Sequence, residues 1–313
     1  MSEDDDSPEP TTETRPGTLN IWFLAARPKT LWAGVAPVLM GTGAAIGVGA
    51  FHLWSALIAL LGALFIQIGT NYCNDYADFK KGADTAERIG PMRATQAGWV
   101  TPRQMAWATG IAFALAALAG AYMVYRGGWP MLAITVIAIV AGILYTAGPY
   151  ALAYLGLGDI FVLIFFGPVA VAGTFYIQAG EWPLAIWLIG LAPGLLSCAI
   201  LAINNLRDVD QDRQAQKRTV AVRFGAGFAR AEYLACMVIG IVAIPLYNFI
   251  YRSDTFWSLL PLLALIGALK PMQVVWQGTN GAALNPVLGQ TARVLLLFAL
   301  LFTSGEVFDK ILS

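Results

Sequence analysis

Two stretches of this chain bring acidic, basic and amide side chains together directly after long apolar runs. The first cluster is residues 71–96, NYCNDYADFKKGADTAERIGPMRATQ, and the second cluster is residues 204–225, NNLRDVDQDRQAQKRTVAVRFG. Outside these clusters and the first 18 residues, charged side chains are few. Because carboxylates, amides and bases in this combination bind metal ions and phosphates, we expect the two clusters to build one site on an apolar scaffold.

Asparagine and aspartate recur in both clusters at a spacing of four, which places side chains on one face of a helix. The residues with this spacing are Asn71 and Asp75, Asn74 and Asp78, and the series Asn204, Asp208 and Asp212, with Asn205 beside it. Oxygen ligands without His or Cys suit a hard cation, and Mg²⁺ that keeps some water and binds phosphate fits best. A divalent cation also relieves the repulsion that would raise the pKa of neighbouring acids.

Basic side chains follow each row of acids. They are Lys80, Lys81, Arg88 and Arg93 in the first cluster and Arg213, Lys217, Arg218 and Arg223 in the second. Bases of this kind bind the free oxygens of phosphates, so acids and bases together predict a diphosphate site. The alternative for each base taken singly is an ordinary positive loop beside a membrane, and that alternative stays open here.

The composition indicates the class of protein that carries these clusters. Hydrophobic residues make up 58% of the chain and charged residues 12%, against roughly 25% charged in soluble domains. This predicts a polytopic membrane protein. A formal net charge of +0, without a basic stripe with interleaved aromatic residues, argues against nucleic-acid binding. The three cysteines lie far apart in sequence and are interpreted as lone thiols.

The apolar runs predict an all-α membrane bundle of about nine transmembrane helices, since a span needs about 20 residues and the runs do not alternate like barrel strands. The predicted limits are 20–48, 53–74, 104–125, 130–146, 159–178, 183–204, 230–250, 256–275 and 290–308. Residues 1–18 are predicted to be a disordered acidic cytoplasmic tail, and residues 19–313 the intramembrane domain. The tail lacks the features of a signal peptide, so the first helix is expected to remain.

Lysine and arginine are distributed unevenly between the predicted connections, which indicates orientation. With the N-terminus inside, only Arg126, Arg252 and Lys310 fall on the outer side. Both clusters are then cytoplasmic, in contact with soluble metabolites and Mg²⁺. Glycines at 43 and 47 have the G-x-x-x-G spacing of closely packed membrane helices.

At this point the chain resembles the UbiA superfamily of intramembrane prenyltransferases. The two aspartate-rich motifs of that family match Asn74-Asp75-x-x-Asp78 and Asn205-x-x-Asp208-x-x-x-Asp212. Two departures are Gly82, where a third acid is expected, with Asp84 two places later, and Asn205, which opens the second motif instead of aspartate.

Within the superfamily the chain is most similar to the branch that prenylates 1,4-dihydroxy-2-naphthoate in menaquinone synthesis. The blocks that carry this similarity are DFKKGAD (78–84), RIGPMRATQAG (88–98), GLGDIFVLIFFGP (156–168), the second cluster and RPKT (27–30). The resemblance implies Mg²⁺-dependent transfer of a polyprenyl group from an allylic diphosphate to the naphthoate, with loss of CO₂, giving demethylmenaquinone at the cytoplasmic membrane.

The resemblance also implies roles for individual residues. Asp75, Asp78, Asp208 and Asp212 would be catalytic, and the metal ligands would be Asn74, Asp75, Asp78, Asp208 and Asp212, with Asp84 as an additional candidate. The diphosphate would bind Lys80, Arg88, Arg93, Lys217 and Arg218. Arg27 or Lys29 would hold the acceptor carboxylate, and Tyr145, Tyr150 and Tyr154 would face the allylic cation. Interfacial anchoring is the alternative for Arg27, Lys29 and the tyrosines.

Two other functions stay open at this stage. One is a prenyltransferase of the same superfamily that acts on 4-hydroxybenzoate or homogentisate. The other is a membrane transporter, although transporters place ionisable groups near the middle of the membrane, whereas here the charges gather at one face.

Overall fold

The computed structural model describes residues 15–83, 88–251 and 255–312, and none of these residues lies in a strand. The helices are α1 (Thr18–Ala25), α2 (Pro28–Gly47), α3 (Leu53–Lys80), α4 (Pro102–Gly127), α5 (Trp129–Leu144), α6 (Leu152–Leu155), α7 (Gly158–Ile164), α8 (Ala170–Ala179), α9 (Leu184–Ile189), α10 (Leu191–Arg207), α11 (Val209–Gln214), α12 (Val220–Tyr251), α13 (Ala264–Trp276) and α14 (Asn285–Leu312). A π-helical turn, Phe165–Val169, joins α7 to α8, and 3₁₀ turns, Phe256–Leu263 and Gly281–Leu284, precede α13 and α14.

Eight helical segments in the described ranges are long and apolar enough to cross a membrane. They are Pro28–Gly47, Leu53–Lys80, Pro102–Gly127, Gly158–Ala179, Leu184–Arg207, Val220–Ile250, Phe256–Trp276 and Gly281–Leu312. The shorter apolar helix α5 corresponds to the remaining predicted span. The protein is therefore a multi-pass, all-α membrane protein, and the predicted fold class is confirmed.

The first predicted span differs from the structure, because it is broken at Arg27 into α1 and α2. Arg27 has a left-handed backbone, with φ 54 and ψ 68. Pro28 causes the break, since a proline ring disfavours the right-handed helical conformation of the residue before it. The Asn71 side chain of α3 holds this corner by donating to the Ala26 carbonyl oxygen (2.8 Å) and to the Thr30 hydroxyl (3.3 Å).

Small residues bring the helices close together where the glycine spacing predicted it. A Cβ on Gly43 of α2 would lie 2.9 Å from the Thr303 Cα of α14. The Thr303 hydroxyl donates to the Leu39 carbonyl oxygen at 3.0 Å and ties the same two helices. The three cysteines are buried, and none forms a disulfide. The helices of the bundle are thus closely packed. Membrane helices depend on such packing because no hydrophobic effect drives their association within lipid.

Candidate active site

One cavity of about 320 Å³ connects the two clusters to the interior of the bundle. Its charged end is lined by Asn74, Asp78, Arg88, Arg93, Asn204, Asn205, Asp208, Gln211, Asp212 and Lys217. Its apolar end is lined by Val38, Ala59, Gly62, Met123 and Met131. Asp78 and Ala59 are both on α3, and the helical rise between them is ~28 Å. The cavity therefore extends through most of a hydrocarbon core about 30 Å thick.

Asp78 is the point at which the two clusters meet. Its Oδ2 atom lies 3.4 Å from Arg93 Nη2 of the first cluster and 3.2 Å from Lys217 Nζ of the second. Its Oδ1 atom accepts a hydrogen bond from the Tyr154 hydroxyl at 2.9 Å. Because Asp78 is 2% exposed, these donors compensate the cost of burying its charge.

Asp75, three residues earlier on α3, is oriented differently. Its two carboxylate oxygens accept hydrogen bonds from the backbone N–H groups of Ala94 (2.9 Å) and Thr95 (3.0 Å). Asp75 is 1% exposed and does not line the cavity. The structure thus places the Asp75 carboxylate against the loop that carries Arg93, outside the cavity lining.

The second row of acids continues across the end of α10. The backbone N–H of Asp208 donates to the Asn204 carbonyl oxygen (3.1 Å), and that of Asp212 donates to the Asp208 carbonyl oxygen (2.8 Å). The four-residue register therefore persists through the junction between α10 and α11. Asn204, Asp208 and Asp212 all line the cavity, as their spacing predicts.

A buried arginine, which we did not include in the predicted site, holds this row in place. Arg207 donates to both carboxylate oxygens of Asp208 at 2.7 Å, and to the Asn204 side-chain oxygen at 2.8 Å. It also donates to the Asn285 side-chain oxygen of α14 at 3.0 Å. A guanidinium at the end of an apolar helix requires such partners, which is the signal in the sequence that could have identified it.

Asp212 has the most perturbed carboxyl group at the charged end. The pKa of Asp212 is raised to about 7, chiefly by burial; Lys217 and Arg88 oppose this rise, and the neighbouring Asp208 and Asp78 contribute to it. A bound cation would favour the ionised form of such a carboxyl group. The acids of the two clusters are therefore close enough to influence one another electrostatically, as the sequence predicts.

The predicted diphosphate-binding bases divide into two groups. Arg88, Arg93 and Lys217 line the cavity. Lys80 and Arg218 are exposed and do not line it. Helix α3 ends at Lys80, and the next residue, Lys81, is also exposed and does not line the cavity.

Lys81 nevertheless contacts two residues that border the charged end, Thr146 and Tyr154. Its Nζ atom donates to the Thr146 carbonyl oxygen at 2.7 Å and lies 4.0 Å from the centroid of the Tyr154 ring. Burial lowers the pKa of Lys81, and the nearby Lys217 contributes to the decrease. Lys81 thus lies beside the charged end of the cavity, and our assignment of roles did not include it.

The two predicted acceptor-binding residues also separate. Arg27 lines the cavity, where its left-handed backbone turns the chain inward between α1 and α2. Lys29 is exposed, and its side-chain stem packs near Gly289 of α14. Only Arg27 of this pair is in position to contact a molecule in the cavity.

The aromatic lining differs in part from the predicted trio. Tyr145 lines the cavity, Tyr150 is 77% exposed away from it, and Tyr154 carries the ammonium groups of lysines on its ring. Phe161 and Phe165 also line the cavity, with stacked rings whose centroids are 5.9 Å apart. Their spacing of four in GLGDIFVLIFFGP is the signal that could have identified them.

The donor set fits a Mg²⁺ ion that is shared with a phosphate. Among the described residues, no three His, Cys, Asp or Glu side chains form a ready-made metal site. Mg²⁺ sites in phosphate enzymes commonly use one or two carboxylates, water and substrate oxygens. Asn74, Asp78, Asp208 and Asp212 supply such oxygens around one cavity. Asp84, the additional predicted ligand, lies outside the described residues.

Comparisons with known proteins agree with this geometry. The model of the UbiA prenyltransferase family matches residues 34–303. The chain is 38% identical over 294 residues to 1,4-dihydroxy-2-naphthoate octaprenyltransferase of Mycobacterium tuberculosis, covering 93% of this chain and 98% of that protein. It is 38% identical over 301 residues to the Escherichia coli protein of the same name, covering 94% and 97%.

Solved structures share the fold at low sequence identity. A UbiA homolog from Archaeoglobus fulgidus bound to GPP and Mg²⁺ has a TM-score of 0.63 and 18% identity, covering 91% of this chain and 99% of that one. The apo structure of a UbiA homolog from Aeropyrum pernix has a TM-score of 0.66 and 15% identity, covering 88% and 97%. The helical arrangement around the cavity is therefore shared with both proteins.

Proposed function

The chain belongs to the UbiA prenyltransferase family, and from this premise we propose that it transfers a polyprenyl group from an allylic diphosphate to 1,4-dihydroxy-2-naphthoate, with loss of CO₂, to give demethylmenaquinol, the reduced form of demethylmenaquinone. The observation that carries the proposal is the single cavity, with both charged clusters at one end and an apolar interior at the other. This shape matches a substrate with a diphosphate head and a hydrocarbon chain. The names of relatives that are 38% identical over nearly the whole chain support the acceptor.

The charged end holds the diphosphate. Asn74, Asp78, Asp208 and Asp212 would hold Mg²⁺, which when bound offsets the negative charge on the departing diphosphate. Arg93 and Lys217 exchange their partner, Asp78, for phosphate oxygens, and Arg88 joins them from the cavity wall. The contacts of 3.4 Å and 3.2 Å with Asp78 support this exchange, because they hold both bases at the charged end of the cavity.

The apolar part of the cavity protects the reacting carbon. When the bond between the allylic carbon and oxygen breaks, the aromatic faces of Tyr145, Phe161 and Phe165 stabilise the positive charge. The surrounding apolar side chains exclude water, which would otherwise capture the cation. All three aromatic residues line the same cavity as Asp78, and this supports the assignment.

The acceptor binds beside Arg27. The guanidinium pairs with the carboxylate and directs the naphthoate ring towards the allylic carbon. A pair of ring electrons forms the new carbon–carbon bond at the ring carbon that bears the carboxylate. The electron pair of the bond to the carboxylate then restores the aromatic ring as CO₂ leaves, so the product is the hydroquinone, demethylmenaquinol, and no external oxidant is required.

The cellular arrangement that we propose follows the distribution of basic residues. The N-terminus, residues 1–18 as an acidic tail, and both clusters face the cytoplasm, and residues 19–313 form the prenyltransferase domain in the cytoplasmic membrane. The small number of bases on the other side, Arg126, Arg252 and Lys310, supports this orientation. The prenyl diphosphate then reaches the site from the lipid, and the naphthoate reaches it from the cytoplasm.

A direct assay tests the proposal. Purified protein in detergent receives a radiolabelled polyprenyl diphosphate with either dihydroxynaphthoate or 4-hydroxybenzoate, with and without Mg²⁺. We expect a lipid-soluble product and CO₂ from the naphthoate alone, only with Mg²⁺. Product from 4-hydroxybenzoate alone would overturn the acceptor, and no product from either would overturn the enzymatic function and favour transport.

Two variants make the assay specific to the site. Asp78→Asn should abolish product, because it removes the charge that both clusters share. Asp210→Asn is the matched control, since Asp210 is exposed in α11 and pairs only with Arg213 at 3.1 Å among the ion pairs of the described residues. Equal activity of the Asp78 variant and the control would contradict the assignment of the charged end.

A further inference from the structure

Tyr154 of α6 contacts residues of both clusters. Its hydroxyl donates to Asp78 Oδ1 at 2.9 Å, and its ring centroid lies 4.0 Å from Lys81 Nζ and 5.0 Å from Lys217 Nζ. Its backbone carbonyl oxygen accepts a hydrogen bond from the Arg218 N–H at 3.0 Å. One side chain therefore touches an acid and two bases that belong to different parts of the sequence.

The ring contact solves an electrostatic problem at this position. The ammonium groups of Lys81 and Lys217 repel each other, and the negative face of an aromatic ring attracts both. An ammonium held by a ring keeps more of its N–H donors available to phosphate than one enclosed by carboxylates does. Lys217 is also 3.2 Å from Asp78, so the ring and the hydroxyl act on neighbouring groups.

The same contacts distinguish Tyr154 from the residues that face the allylic carbon. Tyr145, Phe161 and Phe165 line the cavity, whereas the Tyr154 side chain does not. Its ring already has two ammonium groups, 4.0 Å and 5.0 Å from the centroid, and their charges would repel a carbocation beside the ring. These contacts favour a role for Tyr154 at the charged end of the cavity over the predicted role beside the allylic cation.

We propose that Tyr154 is a positioning residue with two separable tasks. Its hydroxyl orients Asp78 towards Mg²⁺, and its ring gathers Lys81 and Lys217 towards the diphosphate. The proposal rests on the proposed function, because it assumes that a prenyl diphosphate and Mg²⁺ meet at this end of the cavity. It adds Lys81 to the diphosphate site and assigns Tyr154 a role away from the reacting carbon.

Two substitutions separate the two tasks. Tyr154→Phe removes the hydrogen bond to Asp78 and keeps the ring, whereas Tyr154→Leu removes both. Tyr125→Phe is the matched control, because Tyr125 is 85% exposed on α4. Calorimetric titration of each variant measures two quantities: the Mg²⁺ concentration that gives half-maximal binding of a prenyl diphosphate, and the Kd of the prenyl diphosphate at saturating Mg²⁺.

We expect Tyr154→Phe to raise the required Mg²⁺ concentration about tenfold, because the variant loses one hydrogen bond to a charged group. Its Kd for the prenyl diphosphate should stay within about twofold of the wild-type value. Tyr154→Leu should raise the Mg²⁺ requirement equally and also weaken the diphosphate about fivefold, through loss of the cation–π contacts. If the Leu variant does not fold, Lys81→Met replaces it, with the same fivefold loss and an unchanged Mg²⁺ requirement.

Several outcomes would overturn the proposal. A Phe variant with wild-type Mg²⁺ dependence would show that the hydroxyl does not orient Asp78. A Leu variant, or its Lys81→Met replacement, with wild-type diphosphate affinity would show that the ring does not gather the lysines. Because the titration needs no acceptor and no turnover, it keeps its meaning if the naphthoate assay fails, and absence of Mg²⁺-dependent binding to the wild type would instead refute the proposed function.

Discussion

Asp212 provides a quantitative prediction about the stability of the protein without Mg²⁺. Burial raises its pKa from 3.8 to about 7, which corresponds to a destabilisation of up to about 4 kcal/mol when the folded protein must carry the charge. The folded state binds the proton more tightly than the unfolded state. Stability therefore falls as the pH rises from 3.8 towards 7, and the full penalty applies above pH 7.

Replacement by asparagine removes this penalty while keeping the shape of the side chain. In EDTA at pH 8, Asp212→Asn should unfold at a higher temperature than the wild type, and at pH 5 the free-energy difference should fall to about a third. The same variant should lose prenyl transfer, because a predicted Mg²⁺ ligand is gone. Added Mg²⁺ should stabilise the wild type and have less effect on the variant.

Thermal unfolding in detergent, followed by tryptophan fluorescence at several pH values, measures these differences. Asp210→Asn is again the control, because its carboxylate is exposed in the same short helix. A variant that is no more stable than the wild type at pH 8, with an unchanged control, would refute the reasoning. It would mean that Lys217 and Arg88 stabilise the Asp212 charge more than burial opposes it.

Three further substitutions test other contacts. Asp75→Asn should destabilise the protein by about 2 kcal/mol, because an amide has one acceptor oxygen for the two N–H groups at 94 and 95. A melting temperature equal to that of the wild type would contradict this structural role. Arg207→Met leaves Asp208 buried without its guanidinium and should lower the free energy of unfolding by about 3–5 kcal/mol, as measured by unfolding in denaturant. Restored stability in the double variant with Asp208→Asn would identify the ion pair as the cause. Arg27→Ala should raise the KM for the naphthoate about tenfold with little change in the KM for the prenyl diphosphate, and Lys29→Ala, outside the cavity, should change neither.

The local order of the chain could be predicted well from sequence. The apolar runs identified the membrane helices because the thickness of the hydrocarbon core sets their length. The four-residue spacing of Asn204, Asp208 and Asp212 identified a common face, since the helical register persists through their segment. The break at Arg27 was missed because an average over twenty residues conceals one proline.

The orientation of single side chains at the site depends on partners that are distant in sequence. Asp75 and Asp78 have the same side chain and are nearly adjacent, but the N–H groups of the 94–95 loop bind the first and Lys217 binds the second. In the same way, the end of α3 decides that Lys81 and not Lys80 reaches Tyr154. Spacing predicts which residues share a face, whereas tertiary contacts decide what that face meets.

The ion pairs of Asp78 with Arg93 and Lys217 have a consequence for turnover. Under the proposed function, Asp78 competes with the diphosphate, because both anions pair with the same two cations. The prenyl diphosphate must then displace Asp78 from both cations before it binds, and this lowers its affinity. After the reaction, Asp78 pairs with Arg93 and Lys217 again as the inorganic diphosphate leaves. The site then returns to its starting state.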